Sequence, residues 1–157
     1  MRPRDVDEEL PVIAEGTGTA HAGVLAELHD LRRRLGNVEG SLVATTDGLV
    51  IAHDLGASET YGVEPSGVAA LAAVSLGLSQ RIADTASHGD LRETVVRGSL
   101  GQVVTYAAGE RALLTILLRD SGELRDLHSE ARPVADRIAA LLADVWQDDA
   151  ATWHSHA

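Results

Sequence analysis

The chain has 157 residues and a formal net charge of −11; it contains no cysteine, phenylalanine or lysine, and arginine supplies all 13 basic residues. This composition excludes a P-loop lysine, a lysine Schiff base, a thiolate nucleophile, a disulfide and a cysteine-type zinc site. The acidic balance argues against nucleic acid or an anionic membrane as a partner, and the length suits one domain with a substantial core.

Residues 1–19 mix charge with Pro3, Pro11, Gly16 and Gly18 and read as a flexible lead-in. Asp5, Asp7, Glu8 and Glu9 stand where a signal peptide would need an apolar stretch. No run reaches the roughly 20 apolar residues of a membrane span, so the expected location is the cytoplasm, without membrane insertion. From His21 the pattern turns helical: Val24, Leu28, Leu31 and Leu35 fall on one stripe, with Gly36 suited to a left-handed close. Arg32, Arg33 and Arg34 read as the solvated side of this helix, beside Glu27 and Asp30.

Gly40 to Asp54 reads as a β-hairpin around Asp47-Gly48, a pair suited to a type I′ turn. Before the turn, Leu42, Ala44 and Thr46 alternate with Ser41, Val43 and Thr45. After it, Leu49, Ile51 and His53 alternate with Val50, Ala52 and Asp54. Apolar residues on both faces predict helices on both sides and a hairpin inside the sheet.

A loop over residues 55–63 leads to Pro65, which fits the first turn of a second helix ending near Ala86. From Pro65 through Gln80 this helix has no charged residue. Val68, Leu71, Ser75, Leu78 and Ile82 form one stripe; Ala69, Ala72, Ala73, Leu76 and Ala83 form another. A sheet can cover only one of them, so the other calls for a partner. Three strands follow, at Leu91–Arg97, Gln102–Ala107 and Ala112–Leu118. The first is the most polar and reads as an edge; the last is apolar on both faces and reads as central. Ser121 is placed to cap a last helix carrying Leu127, Ala131, Val134, Ile138, Leu141 and Val145, with a kink or restart expected before Pro133. The domain is expected to span 20–148, with a flexible tail over 149–157.

Candidate chemistry is thin. His154-Ser155-His156 offers two ligands where zinc sites have three or four. His53-Asp54 lacks a nucleophile, since Gly98-Ser99-Leu100-Gly101 has the wrong spacing for a nucleophile elbow and is better explained as a hairpin turn. Asp47 is accounted for as a turn residue. Glu93 and Glu110 could face each other across strands, but nothing marks a cleft around them. No constellation here rises to an enzyme hypothesis, and no metal site is favoured.

The order helix, hairpin, helix, three antiparallel strands, helix, together with Gly-Ser-Leu-Val-Ala-Thr-Thr-Asp-Gly-Leu-Val-Ile-Ala at 40–52, resembles the Roadblock family of dynein light chains and their bacterial relatives over about Val24 to Trp146. The resemblance implies an α/β domain with a five-stranded antiparallel sheet, the second helix on one face and the first and last on the other. It implies a homodimer formed through the second helix and the edge strand after it, with Val68, Leu71, Ala72, Ser75, Leu78, Arg92, Thr94 and Val96 at the interface. It also implies an adaptor or regulator of a small Ras-like GTPase, without a cofactor or catalytic residues, in some relatives beside a sensor kinase. The loop at 55–63 and Pro133 depart from the family pattern. The alternative reading is a profilin-like or PAS-like small-molecule sensor, which needs a lined pocket with convergent polar groups.

Overall fold

The computed structural model describes residues 15–55, 63–119 and 123–154. In chain order the elements are α1 (Glu15–Arg34), β1 (Val38–Thr45), β2 (Val50–Asp54), α2 (Pro65–Thr85), β3 (Glu93–Arg97), β4 (Gln102–Ala108), β5 (Ala112–Leu118) and α3 (Arg125–His154). The strands form one antiparallel sheet in the order β2-β1-β5-β4-β3. β5 takes the middle because its residues are apolar on both faces and need cover on both. β3 lies at one edge, as its polarity predicts. The hairpin does not lie wholly inside: β1 is interior, but β2 is the other edge.

Each face has its own core. Leu42, Ala44 and Leu113 meet Ala69, Ala72 and Leu76 of α2. On the opposite face Val43, Tyr106, Leu114 and Ile116 meet Val24, Leu28 and Leu31 of α1 and Ala131, Val134 and Ile138 of α3. This is the expected arrangement of one helix against two. By length and composition α2 would be long enough to cross a membrane, contrary to the reading that no run reaches a span. Its inward stripe is instead a layer of this core.

The Asp47-Gly48 turn differs from type I′. Gly48 N–H donates to Thr45 C=O at 2.9 Å and Thr45 N–H to Leu49 C=O at 2.8 Å. Gly48 alone has a positive φ there, +88°, so the loop is a three-residue turn closed by a left-handed glycine. Next to it the ladder slips: Val43 pairs with Ala52, Ala44 with Val50, and Ile51 is bulged out. The bulge reverses the parity of β2. Val50 joins the α2-side core while Ile51 and Ala52 join the other, so Val50 and Ala52 do not share a face as simple alternation predicts.

The helix ends also differ from expectation. α1 begins at Glu15, inside the segment read as a lead-in, and α3 runs to His154, inside the segment read as a tail. Gly36 is not left-handed; α1 closes with Leu35 N–H on Leu31 C=O at 3.1 Å. Ser121 lies outside the described residues, and α3 begins at Arg125. Pro133 does not restart the helix. It removes the donor to the carbonyl of Ser129, but Ser129 is exposed and water can satisfy that group, while buried Ala131, Val134 and Ile138 hold the helix down. Arg32 is more than a solvated residue. Its guanidinium donates to the carbonyls of Glu39 at 2.6 Å and Asp54 at 2.9 Å and lies 3.0 Å from the Asp54 carboxylate, tying α1 to the outer strand. Arg33 and Arg34 do pair with Asp30, and Arg34 also with Glu130 of α3. Glu27 pairs with Arg137 at 2.9 Å.

Candidate functional site

On a helix lying flat on a sheet, only one stripe is covered. Ala69, Ala72 and Leu76 fill that stripe on α2, where small side chains bring helix and sheet close. The opposite stripe is Leu71, Val74, Leu78 and Ile82, each between 59% and 73% exposed. Leaving four large aliphatic groups in water at one place is costly, on the order of 1.5–3 kcal/mol for each. Such a patch marks an interaction surface.

β3 runs beside this helix as the outer strand. A groove of about 360 Å³ separates them, lined among others by Ser75, Ser79, Ile82, Ala83, Thr94 and Val96. Gln80 closes the connection between the two elements, donating to Asp84 at 2.8 Å and accepting from Leu91 N–H at 3.0 Å. The connection turns through left-handed Ser87 and Gly89, at φ 57° and 82°.

The expected interface residues separate under this geometry. Leu71 and Leu78 lie on the outward stripe, and Val96 is exposed on β3. Ser75 is half-buried and lines the groove; Arg92 is exposed just before β3 begins. Val68 is half-buried against the sheet. Ala72 and Thr94 are largely buried within the protomer, at 7% and 9% exposed, Ala72 against the sheet and Thr94 in the lining of the groove. Val74 and Val95 are not singled out by the sequence pattern. The steps of three and four that link Leu71, Val74, Leu78 and Ile82 are a signal as regular as the stripe chosen from the sequence. What the sequence lacks is the rotational setting of α2 on the sheet, which fixes the stripe that faces outward.

Behind β3 sits a chain of polar contacts. Glu93 accepts from Arg132 at 3.0 Å and lies 3.9 Å from His128 Nε2, while His128 Nδ1 and the Tyr106 hydroxyl are 2.6 Å apart. Tyr106, on β4, is buried in the core on the α1–α3 face of the sheet. Burial, and secondarily the Glu93 charge, pushes its phenol well above the ordinary value, with Arg132 pulling the other way. A phenol whose folded pKa is raised stabilises the fold below the unfolded value of about 10 and loses that contribution as pH rises above it. Stability is therefore expected to fall on the alkaline side from about pH 10, and Tyr106→Phe to flatten that fall. Urea melts of both proteins between neutral and strongly alkaline pH check this; equal alkaline slopes would contradict it.

Among the described residues the candidate catalytic groups do not come together. Among the described residues no group of three His, Asp or Glu side chains is placed to hold a metal. Asp54 is engaged by Arg32 while His53 is exposed. Glu93 pairs with Tyr106 across the ladder, whereas Glu110 sits in the β4–β5 turn, so these two carboxylates do not face each other. The Gly98–Gly101 stretch is a hairpin turn, with Gly98 N–H donating to Gly101 C=O at 2.8 Å. The side chains of His154 and His156 lie outside the described residues.

Comparison with known proteins agrees with this architecture. An uncharacterized protein of Methanocaldococcus jannaschii, MJ0310, is 32% identical over 104 residues, covering 66% of this chain and 87% of its own. Among solved structures, the gliding protein MglB of Thermus thermophilus superposes with a TM-score of 0.72 at 20% identity, covering 81% of this chain and 93% of that one. A structure of MglB in a tetrameric arrangement superposes with a TM-score of 0.73, also at 20% identity, with the same coverage of 81% and 93%. The Roadblock/LC7 domain model matches residues 24–118, from the middle of α1 to the end of the central strand, and with more than half of its length so matched the chain belongs to the Roadblock/LC7 domain family.

Proposed function

We propose that this protein is a non-enzymatic, cytoplasmic adaptor that forms a homodimer and binds a small Ras-like GTPase, biasing its nucleotide cycle or linking it to a signalling complex. The observation that carries the reading is the uncovered stripe Leu71, Val74, Leu78 and Ile82 beside the unpaired edge of β3. A self-complementary apolar helix next to an open strand suits a two-fold pairing, helix on helix and strand on strand. The GTPase is proposed from family membership, and the dimer would present it a composite surface. A small-molecule sensor is less favoured: the cleft that would serve it, about 570 Å³ between α2 and the β4–β5 turn and lined among others by Leu76, Gln80, Asp90, Leu91 and Glu110, is half-open to solvent, while Leu42, Leu113, Leu114 and Ile116 fill the core.

The effect on the GTPase would come from preferring one conformation of its switch regions, which shifts populations by the difference in affinity. A catalytic arginine donated into the partner's site has no part in this reading. Arg111, which stands in the β4–β5 turn two residues after Gly109, is held with its guanidinium carbon 4.5 Å above the Trp146 ring. Titration of purified small Ras-like GTPases of the same organism, each loaded with GDP or a non-hydrolysable GTP analogue, is expected to reveal one that binds with a nucleotide preference of about tenfold or more. Absence of binding, or equal affinity for both states, counts against the proposal. Arg111→Ala is expected to leave the hydrolysis rate of the saturated complex within about twofold. A loss of orders of magnitude with binding intact would instead mean a donated catalytic arginine.

A further inference from the structure

We infer that β3 pairs with β3 of a second copy in one register, with Val95 on the two-fold axis and Glu93 opposite the partner's Arg97. This rests on the homodimer reading above and adds to it which residues meet. The inference starts from hydrogen-bond parity. Gly98 donates to Gly101, which makes that pair a bonded one, and in an antiparallel ladder bonded pairs alternate. Thr94 and Val96, opposite Thr105 and Val103, therefore spend their backbone groups on β4. Glu93, Val95 and Arg97 point theirs outward from the sheet edge.

A symmetric antiparallel pair can be centred on any residue from 93 to 97, and the alternatives are unequal. Centring on Glu93 sets two carboxylates against each other, and centring on Arg97 does the same with two guanidinium groups. Centring on Thr94 or Val96 leaves one outward residue unpaired. Only a centre at Val95 engages all three outward residues of each strand, and it sets Glu93 against the partner's Arg97 twice by symmetry. Opposite charges directly across a ladder are favourable and like charges are not.

Two further observations fit. Arg97 is exposed and makes no ion pair among the described residues. Glu93 uses one carboxylate oxygen for Arg132 and His128, and its other oxygen has no hydrogen-bond partner within the protomer. That oxygen is buried in the isolated protomer. Arg132 holds the carboxylate in place from behind, so the edge carries a positioned acceptor.

The absence of native cysteine makes the register directly readable. In this pairing the two Val95 Cα atoms stand about 5.5 Å apart, within disulfide range, whereas the two Arg97 positions are four residues apart along the ladder, about 13 Å. Mild oxidation of purified Val95→Cys is expected to give a covalent dimer as the main species on a non-reducing gel, and Arg97→Cys to stay uncrosslinked. Arg97→Glu, which disturbs no internal ion pair, is expected to raise the dimer dissociation constant about tenfold. Sedimentation of the wild type separates the two ideas. A wild type that is monomeric at tens of micromolar overturns the dimer and the register with it. A dimeric wild type in which Arg97→Cys crosslinks, or Val95→Cys does not, overturns the register alone.

Discussion

Leu71→Arg is expected to yield a folded monomer. Leu71 is 73% exposed in the protomer and makes no contribution to either core cluster, so its replacement leaves helix and sheet intact. In the dimer the two-fold axis would duplicate the change and bury two unpaired guanidinium groups among Leu71, Val74 and Leu78 of both copies. Breaking a buried interface in this way costs on the order of 3 kcal/mol or more, enough to move a micromolar dimer beyond the concentrations used in sedimentation. The far-ultraviolet circular dichroism should be unchanged. Thermal stability should fall to the value the wild type approaches on dilution, because association stabilises a fold by mass action. Binding to the GTPase should be lost together with the dimer, since the proposed surface is composite. A Leu71→Arg protein that still sediments as a dimer would falsify the assignment of the α2 face. Ala72→Arg makes the internal control: Ala72 is buried against the sheet, so this change should unfold the protomer instead of dissociating it.

Gly48→Ala is expected to destabilise the fold by about 2–3 kcal/mol, combining the penalty for a left-handed residue with a tight contact. Gly48 has φ +88°, and a Cβ built on it would stand 3.0 Å from the Cα of Ala70, a backbone atom that cannot swing aside. The hairpin tip is thus seated directly on α2, at the turn of helix that leads into the outward stripe. For a chain of this size the loss corresponds to a melting temperature lower by roughly 5–10 °C. Asp47→Ala should cost far less, within about 1 kcal/mol, because Asp47 has an ordinary φ and its side chain is exposed. Under a type I′ turn both residues would need positive φ, and the two changes would be comparably harmful. Equal losses in denaturant melts would therefore restore the turn that the dipeptide alone suggests.

Much of the architecture was legible from residue order because its causes are local. Alternation and turn residues mark β4 and β5 within one residue of their observed limits, and the apolar run Leu113–Leu118 puts β5 in the centre since both its faces need cover. Pro65 and the uncharged stretch after it fix the start of α2 and require that more than one side of it be covered. The excess polarity of β3 makes it an edge. Four things needed the tertiary structure, each because the deciding contact joins residues distant in the chain. The bulge at Ile51 changes the parity of β2, which alternation cannot anticipate. Pro133 stays inside α3 because burial of the residues around it outweighs the lost hydrogen bond. Arg32 reads as one of three surface arginines until β2 brings Asp54 to its guanidinium. The rotation of α2 on the sheet is set by how closely Ala69, Ala72 and Leu76 fit against Leu42, Ala44 and Leu113. That rotation turns Ala72 inward and Val74 outward, and so decides which of two equally regular stripes is left to meet a partner.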